Sequence, residues 1–288
     1  MLIDLLHRQV RRRYHRLGFK DGFIPSNRFS IHFYERRGSS GTNTLFLIHG
    51  LGTSSSTWVR TLPSLGPEWN VLAIDLPGFG FSKINSGPPF ATLPEHDAAI
   101  SSLVNEKLEG SFILLGHSLG GWLAGRFALR QPRRVKHLIL VDSAGVLCDD
   151  TYDQGKAFMV QSRRDLKKLL DKLWLSYPWY FRPFYPAVLH DLRQRHVADF
   201  VRSIQERDFL NEDLPKLSPH LTVIWGRQDR LISIGSIDII RNAVPGLEAH
   251  VIEQCGHVPQ LENPTAFVSL LQKILEEEAL AARLPLVI

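Results

Sequence analysis

The chain alternates short, continuous apolar runs with longer stretches in which apolar and polar residues are mixed. Six runs of four or five residues occur: 44–48, 71–74, 112–115, 138–141, 221–225 and 249–252. Continuous apolar runs, unlike alternating ones, are typical of strands that are buried on both faces. The stretches between them fit helices, such as Leu119–Arg130, which stops before Pro132. This alternation predicts an α/β protein whose mostly parallel sheet is covered by helices on both faces.

One region interrupts the alternation. Between about residues 146 and 211 no strand-like run occurs, while charged residues, aromatic residues and prolines are dense. We therefore predict a helical cap at residues 146–211, inserted into a core domain of residues 21–145 and 212–288. Ligands in parallel sheets bind beyond the carboxyl ends of the strands, and the motifs described below follow those ends.

Residues 1–20 form a segment of their own, which we predict to be a basic amphipathic helix. The segment contains six basic residues and one acidic residue, so it accounts for the formal net charge of +5. Basic and acidic residues are equal in number in the remainder of the chain. The balance argues against a nucleic-acid-binding surface. Apolar residues recur at helical spacing: Ile3, Leu6, Val10, Tyr14 and Leu17. Such a helix either packs on the domain with a solvated basic side or makes peripheral contact with an anionic membrane.

The composition predicts an ordinary globular protein. Hydrophobic residues make up 44% of the 288 residues and charged residues 22%, which suits a large buried core. No apolar run approaches the roughly 20 residues that a membrane span needs, and arginines interrupt the N-terminal segment where a signal peptide would be apolar. Because Cys148 and Cys255 are the two cysteines, no disulfide framework is implied, and we expect a cytoplasmic protein. The sequence carries no signal for an oligomeric state.

The strongest chemical signal is Gly116-His117-Ser118-Leu119-Gly120, which matches G-x-S-x-G. A predicted strand precedes it and a predicted helix follows it, so Ser118 falls on a sharp strand-to-helix turn. Glycines on either side let strand and helix approach closely. The turn raises the hydroxyl above the sheet and places the next N–H at a helix N-terminus, where an oxyanion would form. We interpret Ser118 as a nucleophile.

A serine nucleophile needs a base, and the base needs a carboxylate to orient it. His257 follows the last predicted strand and is the candidate base, whereas the adjacent His117 should pack beneath the turn. Asp229 follows the fifth run and gives the chain order Ser, Asp, His that is expected for this arrangement. Asp142 also ends a predicted strand and competes for the role of the acid. We favour Asp229, and the alternative stays open.

The second oxyanion donor is expected in the loop His49-Gly50-Leu51-Gly52, after the first predicted strand. We assign the backbone N–H groups of Leu51 and Leu119 to the oxyanion hole, and we expect His49 to anchor the loop. The sequence contains no phosphate-binding P-loop, no paired Cys-x-x-Cys and no His-Glu-x-x-His. We therefore expect neither a metal nor a cofactor.

These motifs carry a family resemblance that runs from about Phe29 to the C-terminus. Their blocks look like those of the α/β-hydrolase superfamily: HGLG, DLPGFGFS, GHSLGG, LVDSAG, WGRQD and CGHVPQLENP. The last three resemble the monoacylglycerol-lipase-like and bacterial carboxylesterase/lipase branch. The resemblance implies an α/β-hydrolase fold with a cap after Asp142, the triad Ser118, Asp229 and His257, and cofactor-free hydrolysis of a small-molecule carboxylic ester.

Two other functions remain as alternatives. Hydrolases that cleave carbon–carbon bonds of ring-fission products resemble the chain in length and cap position. Their oxyanion loop usually contains more glycine and proline than the loop Leu51-Gly52-Thr53 of this chain, and they usually have an asparagine where this chain has His117. The third function is a ligand receptor that keeps the hydrolase scaffold with negligible turnover.

The aromatic density of the cap suggests an apolar acyl pocket, although the same rings could simply pack the cap against the sheet. The candidate substrate-binding residues are Gly50, Trp174, Trp179, Tyr180, Phe181 and Val258.

Overall fold

The computed structural model describes residues 2–39, 43–148, 155–177 and 179–281. Within these residues a nine-stranded sheet forms the centre of the molecule. Its strands are β1 (Lys20–Ser26), β2 (Phe29–Arg36), β3 (Thr44–Ile48), β4 (Asn70–Ile74), β5 (Lys83–Ile84), β6 (Phe112–His117), β7 (Val135–Val141), β8 (His220–Gly226) and β9 (Glu248–Ile252). Eight of them are ordered β1-β2-β4-β3-β6-β7-β8-β9, and β5 pairs with β2. Every pair from β4 to β9 is parallel, and β2 pairs antiparallel with its neighbours.

Helices cover both faces of this sheet. They are α1 (Leu2–Arg16), α2 (Leu93–Lys107), α3 (Leu119–Arg130), α4 (Arg163–Leu173), α5 (Tyr185–Gln194), α6 (Val197–Ser203), α7 (Ser236–Ala243), α8 (Pro259–Glu262) and α9 (Pro264–Ala281). No helix among the described residues has both the length and the apolar character that a membrane span requires.

Alternate residues of the central strands face two separate cores. On β3, Phe46 packs with α2 and α3 on one face, whereas Leu45 and Leu47 pack with α1 and α9 on the other. All three side chains are fully buried. Burial on both faces explains why these strands are continuous apolar runs, and it confirms the predicted fold class.

The six predicted strands correspond to β3, β4, β6, β7, β8 and β9, and α3 has the bounds that the sequence predicts. The hairpin of β1 and β2 was not predicted. Its edge strand β1 carries exposed and buried residues in turn, so it lacks a continuous apolar run. The predicted N-terminal helix over residues 1–20 is too long, because α1 ends at Arg16 and Lys20 already begins β1.

The first helix is attached to the body of the protein along one side. Val10 and Tyr14 are buried, and the Tyr14 hydroxyl donates a hydrogen bond to the carbonyl oxygen of Ser55 at 2.8 Å. In contrast, Leu5 and Leu6 are about half exposed. The helix therefore packs on the domain at its middle and its C-terminal half.

Between β7 and β8 the described residues form only helices and turns, with α4, α5 and α6 as the main elements. Leu166 and Leu169 of α4 and Phe200 of α6 are buried in the same core as α3. This segment therefore packs over the carboxyl end of the sheet.

Candidate active site

Ser118 lies at the turn between β6 and α3. Its backbone adopts φ 54° and ψ −119°, in a region that residues other than glycine rarely occupy. A Cβ on Gly116 would overlap the carbonyl oxygen of Gly120, and a Cβ on Gly120 would overlap that of Ile48. These glycines thus allow the close approach of strand and helix that presents the serine hydroxyl at the carboxyl end of β6.

His257 lies in the loop after β9, and both of its ring nitrogens have partners. Nε2 is 2.9 Å from the Ser118 hydroxyl oxygen, and Nδ1 is 2.7 Å from Oδ2 of Asp229. The backbone N–H of His257 donates to the carbonyl oxygen of Leu173 at 2.8 Å, which ties the loop to the end of α4. The ring is therefore fixed between a hydroxyl and a carboxylate. This is the geometry that a general base requires.

The Asp229 carboxylate is held from both of its oxygens. Oδ1 accepts the backbone N–H groups of Leu231 and Ile232 at 2.8 and 2.9 Å, and Oδ2 faces His257. Its side chain is fully buried. These hydrogen bonds fix the orientation of the carboxylate, so Asp229 is well placed to orient the imidazole.

Asp142, the competing acid, lies beside Asp229 and makes no hydrogen bond to His257 among the described residues. Its Oδ1 accepts the backbone N–H of Gly226 at 2.9 Å. Burial and the neighbouring Asp229 raise the pKa of its carboxyl well above the usual value. Of the two candidates, the structure joins Asp229 to the histidine.

His117 and His49 support the site from below. His117 Nε2 donates to the carbonyl oxygen of His257 at 2.8 Å, and burial lowers the pKa of His117 to about 3. His49 accepts the backbone N–H of Leu76 at 2.9 Å through Nε2 and donates to the Gly50 carbonyl at 2.8 Å through Nδ1. Burial lowers the pKa of His49 to about 4. Both rings are thus neutral structural groups at neutral pH.

Glu262 of α8 is a residue of the site that the sequence reasoning missed. Its carboxylate accepts the backbone N–H groups of Leu175 and Ser176 through Oε1, at 2.7 and 3.0 Å, and that of Gly256 through Oε2 at 2.7 Å. Glu262 therefore fastens the loop that carries His257 to the segment after α4. The signal was its place five residues after the candidate base, but nothing in the sequence shows three N–H partners.

An apolar cavity of about 270 Å³ opens above Ser118. Leu51 and Leu119, the predicted oxyanion donors, both line it, and Leu119 is the first residue of α3. The N–H groups of a helix's first turn have no partner within the helix, so they are available to an anion. Gly50 packs against His117 and the Cβ of Ser118, in a space that a side chain could not share.

The inner wall of the cavity is apolar and its rim is charged. Leu119, Trp122, Phe200, Leu231 and Ile232 are buried. The rim residues Lys156, Arg202, Gln205 and Glu206 are exposed.

The predicted pocket residues differ from this wall. Among the described residues, Trp174, Val258 and Gly50 do not line the cavity. Trp174 instead makes an edge contact with Tyr177, with ring centroids 6.2 Å apart. The side chains of Trp179, Tyr180 and Phe181 lie outside what the structure describes. The aromatic wall comes from Trp122, one turn after Ser118, and from Phe158, Phe200 and Phe209.

Two groups of side chains bring three candidate metal-binding atoms within 4.8 Å of one another: Asp142, Asp229 and His257, and His137, His220 and Glu278. In the first group both nitrogens of His257 are in hydrogen bonds. In the second group both histidines face Glu278 through Nδ1, and their Nε2 atoms face Thr222 and Glu248. Hydrogen bonds thus account for every histidine nitrogen in both groups.

Residues 45–270 match the model of the alpha/beta hydrolase family. The chain belongs to the alpha/beta hydrolase family. It is 30% identical over 259 residues to a 2-hydroxymuconate semialdehyde hydrolase from Pseudomonas sp. (strain CF600), a match that covers 83% of this chain and 88% of that protein. It is 28% identical to the dihydrolipoyllysine-residue acetyltransferase component of an acetoin cleaving system from Cupriavidus necator, covering 84% of this chain and 66% of that protein.

Among solved structures, a bacterial membrane phospholipase A described as a virulence factor superimposes with a TM-score of 0.82. It is 27% identical, and the match covers 95% of this chain and 91% of that one. The proteins that this alpha/beta hydrolase resembles thus include a phospholipase and a semialdehyde hydrolase.

Proposed function

We propose that this chain is a serine hydrolase that cleaves carboxylic esters through an acyl-enzyme on Ser118. One observation supports this most directly. His257 contacts the Ser118 hydroxyl through one ring nitrogen and Asp229 through the other, at 2.9 and 2.7 Å, on the floor of an apolar cavity. A hydroxyl, an imidazole and a carboxylate in this order are the parts of nucleophilic acyl transfer.

In the first half-reaction the Ser118 oxygen attacks the ester carbonyl while His257 Nε2 accepts the hydroxyl proton. The N–H groups of Leu51 and Leu119 stabilise the tetrahedral oxyanion. As the intermediate collapses, His257 returns the proton to the departing alcohol, and the acyl group remains on Ser118. In the second half-reaction His257 takes a proton from water, which attacks the acyl-enzyme. His257 then returns this proton to the Ser118 oxygen as the carboxylic acid leaves.

The lining of the cavity indicates that it binds an apolar acyl group of the substrate. Its inner wall consists of aromatic and aliphatic side chains, and the charged side chains stay at the exposed rim. Transfer of an apolar chain from water into such a cavity is favourable by about 0.8 kcal/mol for each buried methylene. The alcohol part of the ester then lies toward the rim.

A series of p-nitrophenyl esters from acetate to palmitate, with a ring-fission product as a competing substrate, tests this proposal. We expect ester turnover and a roughly 10⁵–10⁶-fold loss of kcat in Ser118→Ala, because the triad residues act as a unit. Slow ester turnover that Ser118→Ala leaves unchanged would refute the proposal. A bound ligand with no turnover of any ester would favour the receptor.

Carbon–carbon hydrolysis is the second candidate, and the 30% identity to a 2-hydroxymuconate semialdehyde hydrolase favours it. Against it stand the loop Leu51-Gly52-Thr53 and the histidine at position 117, where those enzymes usually carry other residues. A kcat/KM for the ring-fission product above that of every ester would make this the main activity.

Phe209 offers a test of where the acyl chain binds. Its ring stacks on Trp122 with centroids 4.7 Å apart, and it lines the cavity without being fully buried. Phe209→Ala enlarges the cavity, so we expect the preferred acyl length to increase by several methylenes in the same ester series. Phe112→Leu, in the buried core between β6 and α3, serves as a control that changes packing away from the cavity. An unchanged length profile in Phe209→Ala would place the acyl chain elsewhere.

A further inference from the structure

A second carboxyl group, that of Asp142, lies within 4.8 Å of the acid of the candidate triad and has no role in the mechanism above. Asp142 ends β7, is fully buried and adopts φ 41°. A positive φ is uncommon for an aspartate, and such strained residues cluster at functional sites. One oxygen of Asp142, one of Asp229 and a ring nitrogen of His257 all lie within 4.8 Å of each other.

The two oxygens of Asp142 have different surroundings. Oδ1 accepts the backbone N–H of Gly226 at 2.9 Å. Oδ2 is buried and meets no N–H or O–H donor among the described residues. A carboxylate oxygen of Asp229 lies within 4.8 Å of one of the Asp142 oxygens. Since a carboxylate has no proton to donate, a hydrogen bond between two carboxyl groups requires that one of them is protonated.

The hydrogen-bond partners of the two side chains favour Asp142 as the donor of this pair and Asp229 as the acceptor. Asp229 accepts three N–H groups, from Leu231, Ile232 and His257, whereas Asp142 accepts one. Two buried carboxyl groups in contact cannot both ionise without a large cost.

Burial is the main cause that raises the pKa of Asp142 well above its usual value, and the charge of Asp229 acts in the same direction. The other titratable groups that face this pair are His257, Cys255 and Glu262. Glu262 adds negative charge, which also disfavours a second carboxylate at Asp142. Burial raises the pKa of the Cys255 thiol, so it remains uncharged.

We propose that Asp142 is a positioning residue whose neutral carboxyl donates a hydrogen bond to the Asp229 carboxylate and so limits how strongly Asp229 stabilises a protonated His257. This inference rests on the proposed role of Ser118, His257 and Asp229. The donated hydrogen bond spreads part of the negative charge of Asp229 onto Asp142. The protonated form of His257 is then stabilised less than it would be beside an isolated carboxylate, which favours the neutral base.

Two variants distinguish the role of the Asp142 proton from the role of the side-chain volume. Asp142→Asn keeps an acceptor for the Gly226 N–H and supplies an amide donor to Asp229, while Asp142→Ala removes both. The readout is the pH dependence of the rate at which a fluorophosphonate labels Ser118, which needs the neutral base and no particular substrate. We expect the same midpoint for Asp142→Asn and wild type. For Asp142→Ala we expect a midpoint about one pH unit higher, since a hydrogen bond to a charged group is worth about that much.

Either of two results would overturn the proposal. A midpoint that falls by about one unit in Asp142→Asn would show that wild-type Asp142 is ionised, because the neutral amide then removes a negative charge near His257. Equal midpoints in all three proteins would show that Asp142 only fills space.

Infrared difference spectroscopy of wild type against Asp142→Asn gives a second readout that needs neither activity nor a folded Asp142→Ala. We expect a carbonyl stretching band of a protonated carboxyl at neutral pH, present in wild type and absent in Asp142→Asn. Absence of this band from wild type would refute the neutral Asp142. If wild-type Ser118 is not labelled at any pH, the proposed function fails, and the band still tests the protonation of Asp142.

Discussion

His257 is held at three points: by Ser118 at Nε2, by Asp229 at Nδ1, and by Leu173 at its backbone N–H. The bond to Asp229 fixes which ring nitrogen carries the proton. With the proton on Nδ1, the lone pair of Nε2 faces the serine hydroxyl and can accept its proton. In the proposed mechanism Asp229 therefore acts through the tautomer of the imidazole rather than by touching the substrate.

Replacing the acid by its amide tests this role. Asp229→Asn keeps the size of the side chain, but its amide N–H can face Nδ1 and so favour the wrong tautomer. We expect kcat on a p-nitrophenyl ester to fall by about four orders of magnitude, as is found for the equivalent change in serine proteases. Circular dichroism should show an unchanged fold. A loss of less than tenfold would mean that another group, with Asp142 the nearest, orients His257.

At this scale the sequence predicts the individual residues better than their contacts. Ser118 follows the buried strand β6 and His257 follows the edge strand β9, and both are recognisable because each lies in a short glycine-containing motif. The sequence and the family resemblance favour Asp229 over Asp142, but both residues follow strands, and only the three-dimensional register brings one of them to Nδ1. The sequence gives no signal that the two carboxyl groups lie close together. They are separated by 86 residues, and they approach each other only because the chain returns to form β8 next to β7.

The strands of the centre and those of the edge differ in how far the sequence predicts them. Strands such as β3 and β6 are buried on both faces, so their apolar runs are continuous and their positions follow from the sequence. In β1 the burial varies along the strand, and Gly22 and Pro25 interrupt its pattern. Pairing with β2 forms this hairpin, and a contact between two strands is not visible in either strand alone.

The first helix, α1, exposes a row of basic side chains that could bind a partner. Arg8, Arg12, Arg13 and Arg16 are exposed along α1, while Val10 and Tyr14 attach it to the domain. Deleting the helix would remove buried side chains, so charge reversal is the cleaner change. We propose that this basic face contacts an anionic membrane surface.

Cosedimentation with phosphatidylcholine vesicles, with and without phosphatidylserine, measures this contact. We expect Arg12→Glu/Arg13→Glu to weaken binding to the anionic vesicles at least about tenfold, since each basic residue contributes about 1 kcal/mol near such a surface. The control Arg133→Glu/Lys273→Glu changes the net charge equally at exposed positions elsewhere. Equal weakening in both proteins would indicate an effect of net charge alone, and binding that neither change affects would remove the membrane role of α1.

For the whole molecule, buried neutral histidines link stability to pH. His96 is packed between the rings of Phe79 and Phe200, and burial lowers its pKa to about 3. The unfolded chain takes up a proton at this residue near pH 6.5, whereas the folded protein excludes it until about pH 3. The contribution of this histidine to stability is therefore fully present above pH 6.5 and decreases as the pH falls below that value.

A comparison with His96→Phe isolates this effect from that of all other titrating groups. Between pH 6 and pH 4.5 the free energy of unfolding of wild type should fall more steeply than that of the variant, by about 1.4 kcal/mol per pH unit. Urea denaturation at a series of pH values measures both slopes. Equal slopes would contradict the exclusion of a proton from folded His96.

The cavity belongs to this scale as well, and the sequence did not predict its wall. A helical segment between β7 and β8 was expected, but which of its rings face Ser118 depends on how that segment folds back onto the sheet. Phe200 and Phe209 line the cavity at Ser118, whereas Trp174 packs against Tyr177. The fold and the positions of the candidate triad follow from local patterns, whereas the substrate-facing surface follows from long-range packing.

The central claim is that Ser118 is a nucleophile activated by His257. Mass spectrometry of the protein after treatment with a fluorophosphonate tests it most directly, with the modified peptide sequenced and with Ser118→Ala and His257→Ala treated in parallel. We expect one adduct per chain, located on Ser118, absent from Ser118→Ala and formed orders of magnitude more slowly in His257→Ala. An adduct on another residue, or labelling of Ser118 at the same rate without His257, would contradict it.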